Sequence, residues 1–170
     1  REKSEINYLM ELLKYFLKSE TKSLVKNGIK LIILGDLSIF SNEIKEDIEK
    51  AIAKTYKNTK LNLIIAINYG SRQEITHGIK KITSQIINKK LNIEDINEDL
   101  VSRFLYTSGI PDPDLIIRTG GDTRLSNFLL WQAAYSELIF VEKPWPIFNK
   151  EDFLSAIYEF KNRERRFGGC

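Results

Sequence analysis

Short runs of apolar residues, each closed by glycine or polar residues, constrain the fold of this chain more than any other feature. They span residues 31–34, 61–67 and 115–117, and are followed in turn by Gly35-Asp36, Asn68-Tyr69-Gly70 and Arg118. Runs of this kind are typical of strands that are buried on both faces. We therefore expect at least three strands of a parallel sheet whose two faces are covered.

Amphipathic patterns between these runs predict helices. In residues 5–18 apolar side chains recur at spacings of three and four, and this helix is expected to end near Gly28. Ser41 is expected to cap the next helix, and Ser71 with Glu74 fits a capping box for a third. Further elements are predicted as helices at residues 97–105, at 127–135 and after Asn149, and as a strand at 138–141.

The alternation of strands and helices predicts an α/β fold, with a mostly parallel central sheet covered by helices on both faces. The sequence contains no repeat or linker that would divide it, so we expect a single domain over residues 1–170. A chain of 170 residues, of which 42% are hydrophobic and 29% charged, can bury about two thirds of its unfolded surface. A substantial core is therefore expected.

Cysteine usage and charge restrict the cellular compartment and the class of partner that we expect for the protein. The only cysteine, Cys170, is the last residue, so no disulfide can form within the chain and a reducing, cytoplasmic setting is expected. No apolar run approaches the roughly 20 residues that a membrane-spanning helix needs. The net charge of +3 is mild and basic residues crowd together only near the end of the chain. We therefore do not expect a nucleic acid as partner.

Residues 118–137 carry the clearest chemical signal. Arg118, Arg124 and Ser126 surround the pair Gly120-Gly121, directly after a predicted strand. Guanidinium groups match phosphate oxygens with paired donors, and glycines let backbone N–H groups approach an anion. Ligands of parallel α/β sheets bind at the carboxyl ends of the strands. A diphosphate is therefore the expected ligand.

Several of these residues also have an ordinary structural interpretation. Ser126 fits an N-cap for the helix predicted from Asn127 as well as it fits a ligand contact, and both roles can hold at once. Asp122 could orient an arginine, but we favour a simple loop residue. Taken alone, Glu137 would be a solvated carboxylate, and Arg163 would belong to a solvated helix end that the helix dipole favours.

A longer pattern covers nearly the whole chain. It comprises residues 111–137, Pro144-Trp145-Pro146 and the closing residues 162–169, with Gly35-Asp36 and Asn68-Tyr69-Gly70 in matching order and spacing. This pattern resembles the carboxy-terminal part of the cis-prenyltransferases, and within them the bacterial undecaprenyl diphosphate synthases. The resemblance implies the α/β fold that the strand and helix patterns also predict.

The resemblance implies a Mg²⁺-dependent transferase that condenses isopentenyl diphosphate onto an allylic diphosphate, with farnesyl diphosphate as the expected starter. Each condensation adds a cis double bond, and the expected product is undecaprenyl diphosphate, a lipid carrier whose release implies transient contact with the membrane surface. By position, Arg118, Arg124 and Ser126 match the family's residues for the isopentenyl diphosphate group. Glu137 matches the glutamate associated with Mg²⁺.

The end of the chain matches the family's Arg-x-Gly tail, here Arg166-Phe167-Gly168. In the family this tail reaches the active site of the partner subunit, so the resemblance implies a homodimer in which Arg166 and Gly168 contact the partner's site. Thr123 is a departure, because some bacterial members carry a histidine near the metal at this position. A histidine ligand is therefore missing there.

The amino-terminal part of the family has no counterpart in these residues. Family members begin with a strand that leads into an Asp-Gly-Asn run, and that aspartate is the principal metal-linked catalytic carboxylate. Nothing in residues 1–30 resembles it, so the catalytic aspartate is expected upstream of Arg1 and the chain matches the carboxy-terminal two thirds of the enzyme. We expect the intact enzyme to be active and these 170 residues alone to be inactive.

The competing interpretation is a non-catalytic partner subunit of a heteromeric cis-prenyltransferase, which contributes only the Arg-x-Gly tail. The presence of Arg118, Arg124, Ser126 and Glu137 counts against it, because such a subunit does not need substrate-binding arginines. A small phosphate- or nucleic-acid-binding domain is a third class, and its binding would fall steeply with salt.

Overall fold

The computed structural model of the protein describes residues 3–164, and it describes side chains from residue 8 onward. The chain divides into two compact units, one up to Tyr69 and one from Gly70. Each unit contains a parallel pair of strands with helices, which confirms the predicted α/β class. The expectation of one domain over residues 1–170 stays a prediction.

The first unit consists of helix α1 (Lys3–Asn27), strand β1 (Ile29–Leu34), helix α2 (Asn42–Thr55) and strand β2 (Leu61–Ala66). The two strands run parallel, with Ile29 opposite Leu61 and Leu34 opposite Ala66. A core of apolar side chains from both helices, β1 and the loop before α2 is buried, comprising Leu17, Leu24, Leu31, Phe40, Ile44, Ile48 and Ala51. Each large side chain in such a core contributes about 1.5–3 kcal/mol through burial.

Local sequence signals explain where these elements begin and end. Gly28 has φ 72°, a left-handed conformation that ends α1 and suits glycine. Ser41 caps α2 as predicted, because its side chain accepts a hydrogen bond from the Ile44 N–H. The fully buried hydroxyl of Thr55 accepts a hydrogen bond from the Leu31 N–H at 3.1 Å, which ties the end of α2 to β1.

The polar residues after β1 and β2 meet, as expected for neighbouring parallel strands. The Asp36 N–H donates to the carbonyl of Asn68 at 3.4 Å, and the Asn68 side chain donates to the carbonyl of Asp36 at 2.9 Å. Gly35 has φ 120°, and a Cβ at this residue would lie 2.0 Å from the carbonyl oxygen of Ile67. Only glycine therefore allows the backbone at residue 35 to lie this close to the Ile67 carbonyl.

The second unit contains helix α3 (Ser71–Ile87), helix α4 (Glu98–Phe104), strand β3 (Leu115–Thr119), strand β4 (Glu137–Val141) and helix α5 (Lys150–Lys161). Single turns of 3₁₀ helix lie at Ile93–Asp95 and Trp145–Ile147. β3 and β4 are parallel, with Leu115 opposite Glu137 and Thr119 opposite Val141. The Asn97 and Asn149 side chains cap α4 and α5, because their oxygens accept backbone N–H groups of the first turn.

The helix predicted at residues 127–135 is wrong, because this segment forms a series of turns. Ser126, Asn127 and Leu129 have φ values of 47°, 66° and 48°, which are left-handed and incompatible with an α-helix. Backbone groups of the segment bond to α3 instead. The Asn127 carbonyl accepts from the Ser71 N–H, and the Leu130 N–H donates to the Ser71 hydroxyl.

The capping box predicted for Ser71 and Glu74 is also wrong. Gly70 is the N-cap of α3, and Ser71 is already inside the helix, fully buried. The Glu74 carboxylate is buried too, and it accepts hydrogen bonds from the Tyr106 N–H at 2.7 Å and the Gln132 amide at 3.2 Å. Tertiary partners have therefore replaced the local bonds that the sequence pattern predicted.

None of the helices between residues 3 and 164 combines the length and the hydropathy needed to cross a bilayer.

Candidate functional site

Arg118 is the centre of a polar cluster at the carboxyl end of β3. It belongs to the strand itself, one residue before the strand ends at Thr119. Its guanidinium donates from Nη1 to the Ser126 hydroxyl at 2.9 Å and to the Arg124 carbonyl, and from Nη2 to Asp122 Oδ2 at 2.8 Å. The rigid strand and these acceptors fix the position of the guanidinium, and the side chain is only 24% exposed. The structure thus brings together three predicted site residues, Arg118, Arg124 and Ser126.

Asp122 joins the two arginines, so the simple loop interpretation favoured from the sequence is wrong. The same oxygen, Oδ2, also accepts from Arg124 Nη2 at 2.7 Å. Exposed ion pairs of this type contribute only about 0–1 kcal/mol each, so their main effect is on geometry. One carboxylate between two guanidiniums leaves a net positive charge, and the Arg124 side chain remains 67% exposed. An anionic ligand can therefore approach the cluster from the Arg124 side.

Gly120 and Gly121 allow the turn after β3 but do not direct N–H groups at a ligand. Both have left-handed φ values, 95° and 80°. The Gly120 N–H donates to the Lys143 carbonyl and the Gly121 N–H to the Val141 carbonyl, each at 3.1 Å. The expected backbone approach to an anion is therefore wrong, because these donors fasten the turn to the end of β4. An anion at this turn would therefore meet side-chain donors and not these two N–H groups.

Ser126 does not act as a helix N-cap, because no helix follows it. Its hydroxyl oxygen accepts a hydrogen bond from Arg118, and its own proton can still be donated. A hydroxyl beside two guanidiniums adds one more donor for phosphate oxygens. The ligand-contact interpretation of Ser126 therefore fits the geometry better than the cap.

Glu137 lies away from this cluster. It is the first residue of β4 and is opposite Leu115, whereas Arg118 is opposite Phe140. Three steps along parallel strands correspond to about 10 Å, at ~3.3 Å per residue. The structure therefore does not place Glu137 beside Arg118, Arg124 and Ser126 within the chain.

The Glu137 carboxylate is paired with Arg163, which follows α5. Arg163 Nη1 lies 2.8 Å from Glu137 Oε2 and 3.1 Å from the Leu138 carbonyl, and Nη2 lies 2.5 Å from Glu159 Oε1. Hydrogen bonds with Glu137 and then Glu159 hold the pKa of Arg163 above its usual value. The interpretation of Arg163 as a solvated helix end is therefore wrong, because this side chain ties the end of α5 to β4.

The described residues do not form a magnesium site by themselves. Between residues 8 and 164 no three side chains of the His, Cys, Asp or Glu type converge closely enough to hold a metal ion. Glu137 offers a single carboxylate, which already pairs with Arg163. Mg²⁺ needs about six oxygen ligands in octahedral geometry, so Glu137 could supply only one of them. The predicted partner-site residues Arg166 and Gly168 lie outside the described residues.

Two residues of the second unit have structural roles that the sequence does not predict. The Gln132 amide is buried and joins Glu74 to the Thr107 hydroxyl, at 3.2 and 2.8 Å. Its position within a mostly apolar stretch gave no sign of this role. Asn127 bonds to the start of α3, and the only available signal was the tolerance of asparagine for left-handed turns.

Comparison with known proteins gives a consistent assignment. The family described as "Putative undecaprenyl diphosphate synthase" matches residues 1–168. An isoprenyl transferase of Clostridium perfringens is 50% identical over 169 residues, which cover 99% of this chain and 67% of that protein. A (2E,6E)-farnesyl-diphosphate-specific ditrans,polycis-undecaprenyl-diphosphate synthase of Photorhabdus laumondii is 46% identical over 169 residues, which cover 99% and 66%.

A solved structure supports the same relationship. The crystal structure of lavandulyl diphosphate synthase from Lavandula x intermedia, in complex with dimethylallyl diphosphate, superposes with a TM-score of 0.95 at 34% identity. The match covers 99% of this chain and 73% of that one. The chain thus spans about two thirds of the length of the two bacterial relatives. It belongs to the undecaprenyl diphosphate synthase family of prenyltransferases, whose members carry out prenyl chain elongation.

Proposed function

We propose that the intact protein condenses isopentenyl diphosphate onto an allylic diphosphate, adding cis double bonds until undecaprenyl diphosphate is formed. The observation that carries this proposal is the Arg118, Arg124 and Ser126 cluster at the end of β3, in a chain of this family. The non-catalytic partner subunit is not favoured, because a subunit of that kind has no use for such a cluster.

The cluster is suited to hold the diphosphate of isopentenyl diphosphate. Two guanidiniums and a hydroxyl offer several donors to phosphate oxygens, and Asp122 keeps the arginines oriented through hydrogen bonds of 2.8 and 2.7 Å. Holding the diphosphate leaves the alkene end of the molecule to attack the allylic carbon. Orientation of this kind contributes up to about 7–11 kcal/mol to a two-substrate reaction in ideal cases.

The allylic substrate is proposed from the relatives. The lavender enzyme was crystallised with dimethylallyl diphosphate, and the Photorhabdus relative is named for farnesyl diphosphate. These names support an allylic diphosphate as the second substrate of this protein, with farnesyl diphosphate as the proposed starter. The product would be an amphiphilic lipid carrier for cell-wall synthesis, and its release implies transient contact with a membrane surface.

We also propose that the intact enzyme needs Mg²⁺. The reaction expels a diphosphate, and a divalent ion neutralises the charge of such a leaving group. Glu137 would provide one carboxylate, with the remaining ligands expected outside residues 8–164. A homodimer in which Arg166 and Gly168 contact the partner's site remains part of the proposal, as does a cytoplasmic, membrane-peripheral location.

The test compares an intact enzyme with the 170-residue chain. Each is incubated with Mg²⁺, farnesyl diphosphate and labelled isopentenyl diphosphate, and the labelled polyprenyl product is measured. We expect product from the intact enzyme and none from residues 1–170. Absence of product from the intact enzyme would overturn the proposed function. Product from the short chain would overturn only the predicted inactivity.

Arginine variants of the intact enzyme connect the activity to the cluster. Arg118→Ala is expected to raise the KM for isopentenyl diphosphate more than the KM for the allylic substrate. Arg103→Ala is the matched control, because Arg103 is an exposed arginine of α4 outside the cluster. Equal KM values in both variants would contradict the assignment of Arg118.

A further inference from the structure

The first turn of α3 is capped from a distant part of the chain. Its N-cap residue, Gly70, has no side chain to offer, and the Ser71 and Arg72 N–H groups instead donate to Asn127. The Ser71 N–H bonds to the Asn127 carbonyl and the Arg72 N–H to Asn127 Oδ1, both at 2.8 Å. The Asn127 amide in turn donates to Gln73 Oε1 at 3.0 Å. One residue therefore satisfies two unpaired donors of the helix and gains an acceptor from it.

These bonds hold Asn127 in a conformation that most residues avoid. Its φ is 66°, and the preceding Ser126 is also left-handed, at 47°. A serine pays a steric cost in this region, so the conformation persists only where surrounding bonds enforce it. Ser71 reinforces the same segment from inside the unit, because its buried hydroxyl accepts from the Leu130 N–H at 3.0 Å.

The strained turn determines where the Ser126 hydroxyl lies. That hydroxyl is adjacent in sequence to the Asn127 anchor and 2.9 Å from Arg118 Nη1. If the turn relaxed toward ordinary φ values, the hydroxyl would rotate away from Arg118. The start of α3 is therefore joined to the proposed diphosphate cluster through Asn127, the sequence neighbour of Ser126.

We infer that Asn127 is a positioning residue for the isopentenyl diphosphate site. It acts by holding Ser126, and through it Arg118, against the start of α3. This inference rests on the proposed function for its kinetic consequence, but the structural coupling can be tested without any substrate.

The structural test measures amide hydrogen exchange in an intact enzyme carrying Asn127→Ala. We expect faster exchange both in the first turn of α3 and in residues 126–130. Asn97→Ala is the matched control, because Asn97 caps α4 with a 2.8 Å bond to the Leu100 N–H but lies outside the cluster. It should raise exchange in α4 only. Unchanged exchange at residues 126–130 in Asn127→Ala overturns the inference, whatever the kinetics show.

The kinetic test measures both KM values and kcat. Asn127→Ala should raise the KM for isopentenyl diphosphate about 10-fold, with kcat and the allylic KM changed less, because misplaced binding groups weaken productive positioning. Asn127→Gly should recover part of this loss, since glycine adopts φ 66° without strain and keeps the carbonyl bond to Ser71. An Asn127→Ala KM equal to that of Asn97→Ala overturns the positioning role. Arg118→Ala reports separately on the proposed function, because an unchanged KM there contradicts that function and not the coupling.

Discussion

Arg163 Nη1 lies 2.8 Å from Glu137 Oε2, so the carboxylate that the family resemblance links to Mg²⁺ is already paired with a cation. The guanidinium and a divalent ion would compete for the same oxygen. Both side chains are partly exposed, 34% for Arg163 and 27% for Glu137, so the pair is weakly to moderately favourable.

Removing this competitor should make magnesium activation easier. In an intact enzyme, Arg163→Ala is expected to lower the Mg²⁺ concentration for half-maximal activity by up to about 5-fold, which corresponds to the ~1 kcal/mol limit of exposed pairs. Arg163→Lys keeps a cation but cannot reproduce the simultaneous bonds to Glu137 and Glu159, so its magnesium requirement should lie between those of the parent enzyme and Arg163→Ala. An unchanged magnesium requirement in Arg163→Ala would mean that Arg163 does not compete with the ion for Glu137.

Arg118 should not tolerate replacement by lysine. Its two terminal nitrogens bind Ser126 and Asp122 at the same time, which a single ammonium group cannot reproduce with the same geometry. We expect Arg118→Lys to raise the KM for isopentenyl diphosphate about 10-fold, a loss of ~1.4 kcal/mol of binding. Arg103→Lys serves as control in the same steady-state assay. A KM within twofold of the parent value would argue that charge alone is sufficient.

Glu74 is expected to be a stability determinant. Replacing it by alanine leaves the Tyr106 N–H and the Gln132 amide without the acceptor they have now, in a buried place. A buried donor that loses its acceptor costs about 1–3 kcal/mol, and the Gln132 amide keeps its bond to the Thr107 hydroxyl, so Glu74→Ala should lower the free energy of unfolding by ~1–3 kcal/mol. Glu74→Gln keeps one acceptor oxygen and should cost less.

Urea denaturation of intact-enzyme variants measures this difference. Glu46→Ala is the control, because Glu46 forms an exposed pair with Lys50 and should change stability by no more than about 0.5 kcal/mol. If Glu74→Ala and Glu46→Ala were equally stable, the buried network would have no energetic importance.

Asp152 should give the protein a pH-dependent contribution to stability. The hydrogen bond from Lys143 and then the backbone N–H of Asn149 lower the pKa of this carboxyl. A group whose pKa falls on folding stabilises the protein above its unfolded value of about 3.9, and this contribution is lost as the pH falls through the lower folded pKa. Asp152→Asn should therefore lower Tm at pH 7, and the difference should shrink as the medium becomes acid. A Tm difference that stays constant down to about pH 3 would exclude this charge effect.

Elements with local causes could be predicted from the sequence. The apolar runs before Gly35, Asn68 and Arg118 became β1, β2 and β3, because short apolar runs have few alternatives in an α/β pattern. Ser41 and Asn149 cap their helices through bonds to residues only three positions away. Such bonds are visible in the sequence itself.

Features that depend on distant partners could not be predicted in the same way. Residues 127–135 have helix-like spacing, but bonds to Ser71 and Arg72 outweigh that preference. Glu74 has the spacing of a capping box, yet its partners lie more than 30 positions away in sequence, at Tyr106 and Gln132.

The candidate site likewise has one part that the sequence predicts and one part that depends on distant partners. The side-chain chemistry of Arg118, Arg124 and Ser126 marks them as site candidates in the sequence, and the turn after β3 brings them together because they are close in sequence. The separation of Glu137 from them follows from the register of β3 and β4, which aligns Leu115 with Glu137. No composition or spacing in the sequence reveals a strand register of this kind.

The left-handed conformations of Ser126, Asn127 and Leu129 have a consequence for how variation in this protein should be interpreted. A saturation-mutagenesis screen would find a narrow set of permitted residues at Asn127, mainly glycine, aspartate and asparagine, because the backbone excludes β-branched side chains there. Such intolerance would look like the mark of a substrate contact. At this position, intolerance to substitution would reflect the backbone conformation and not a contact with substrate.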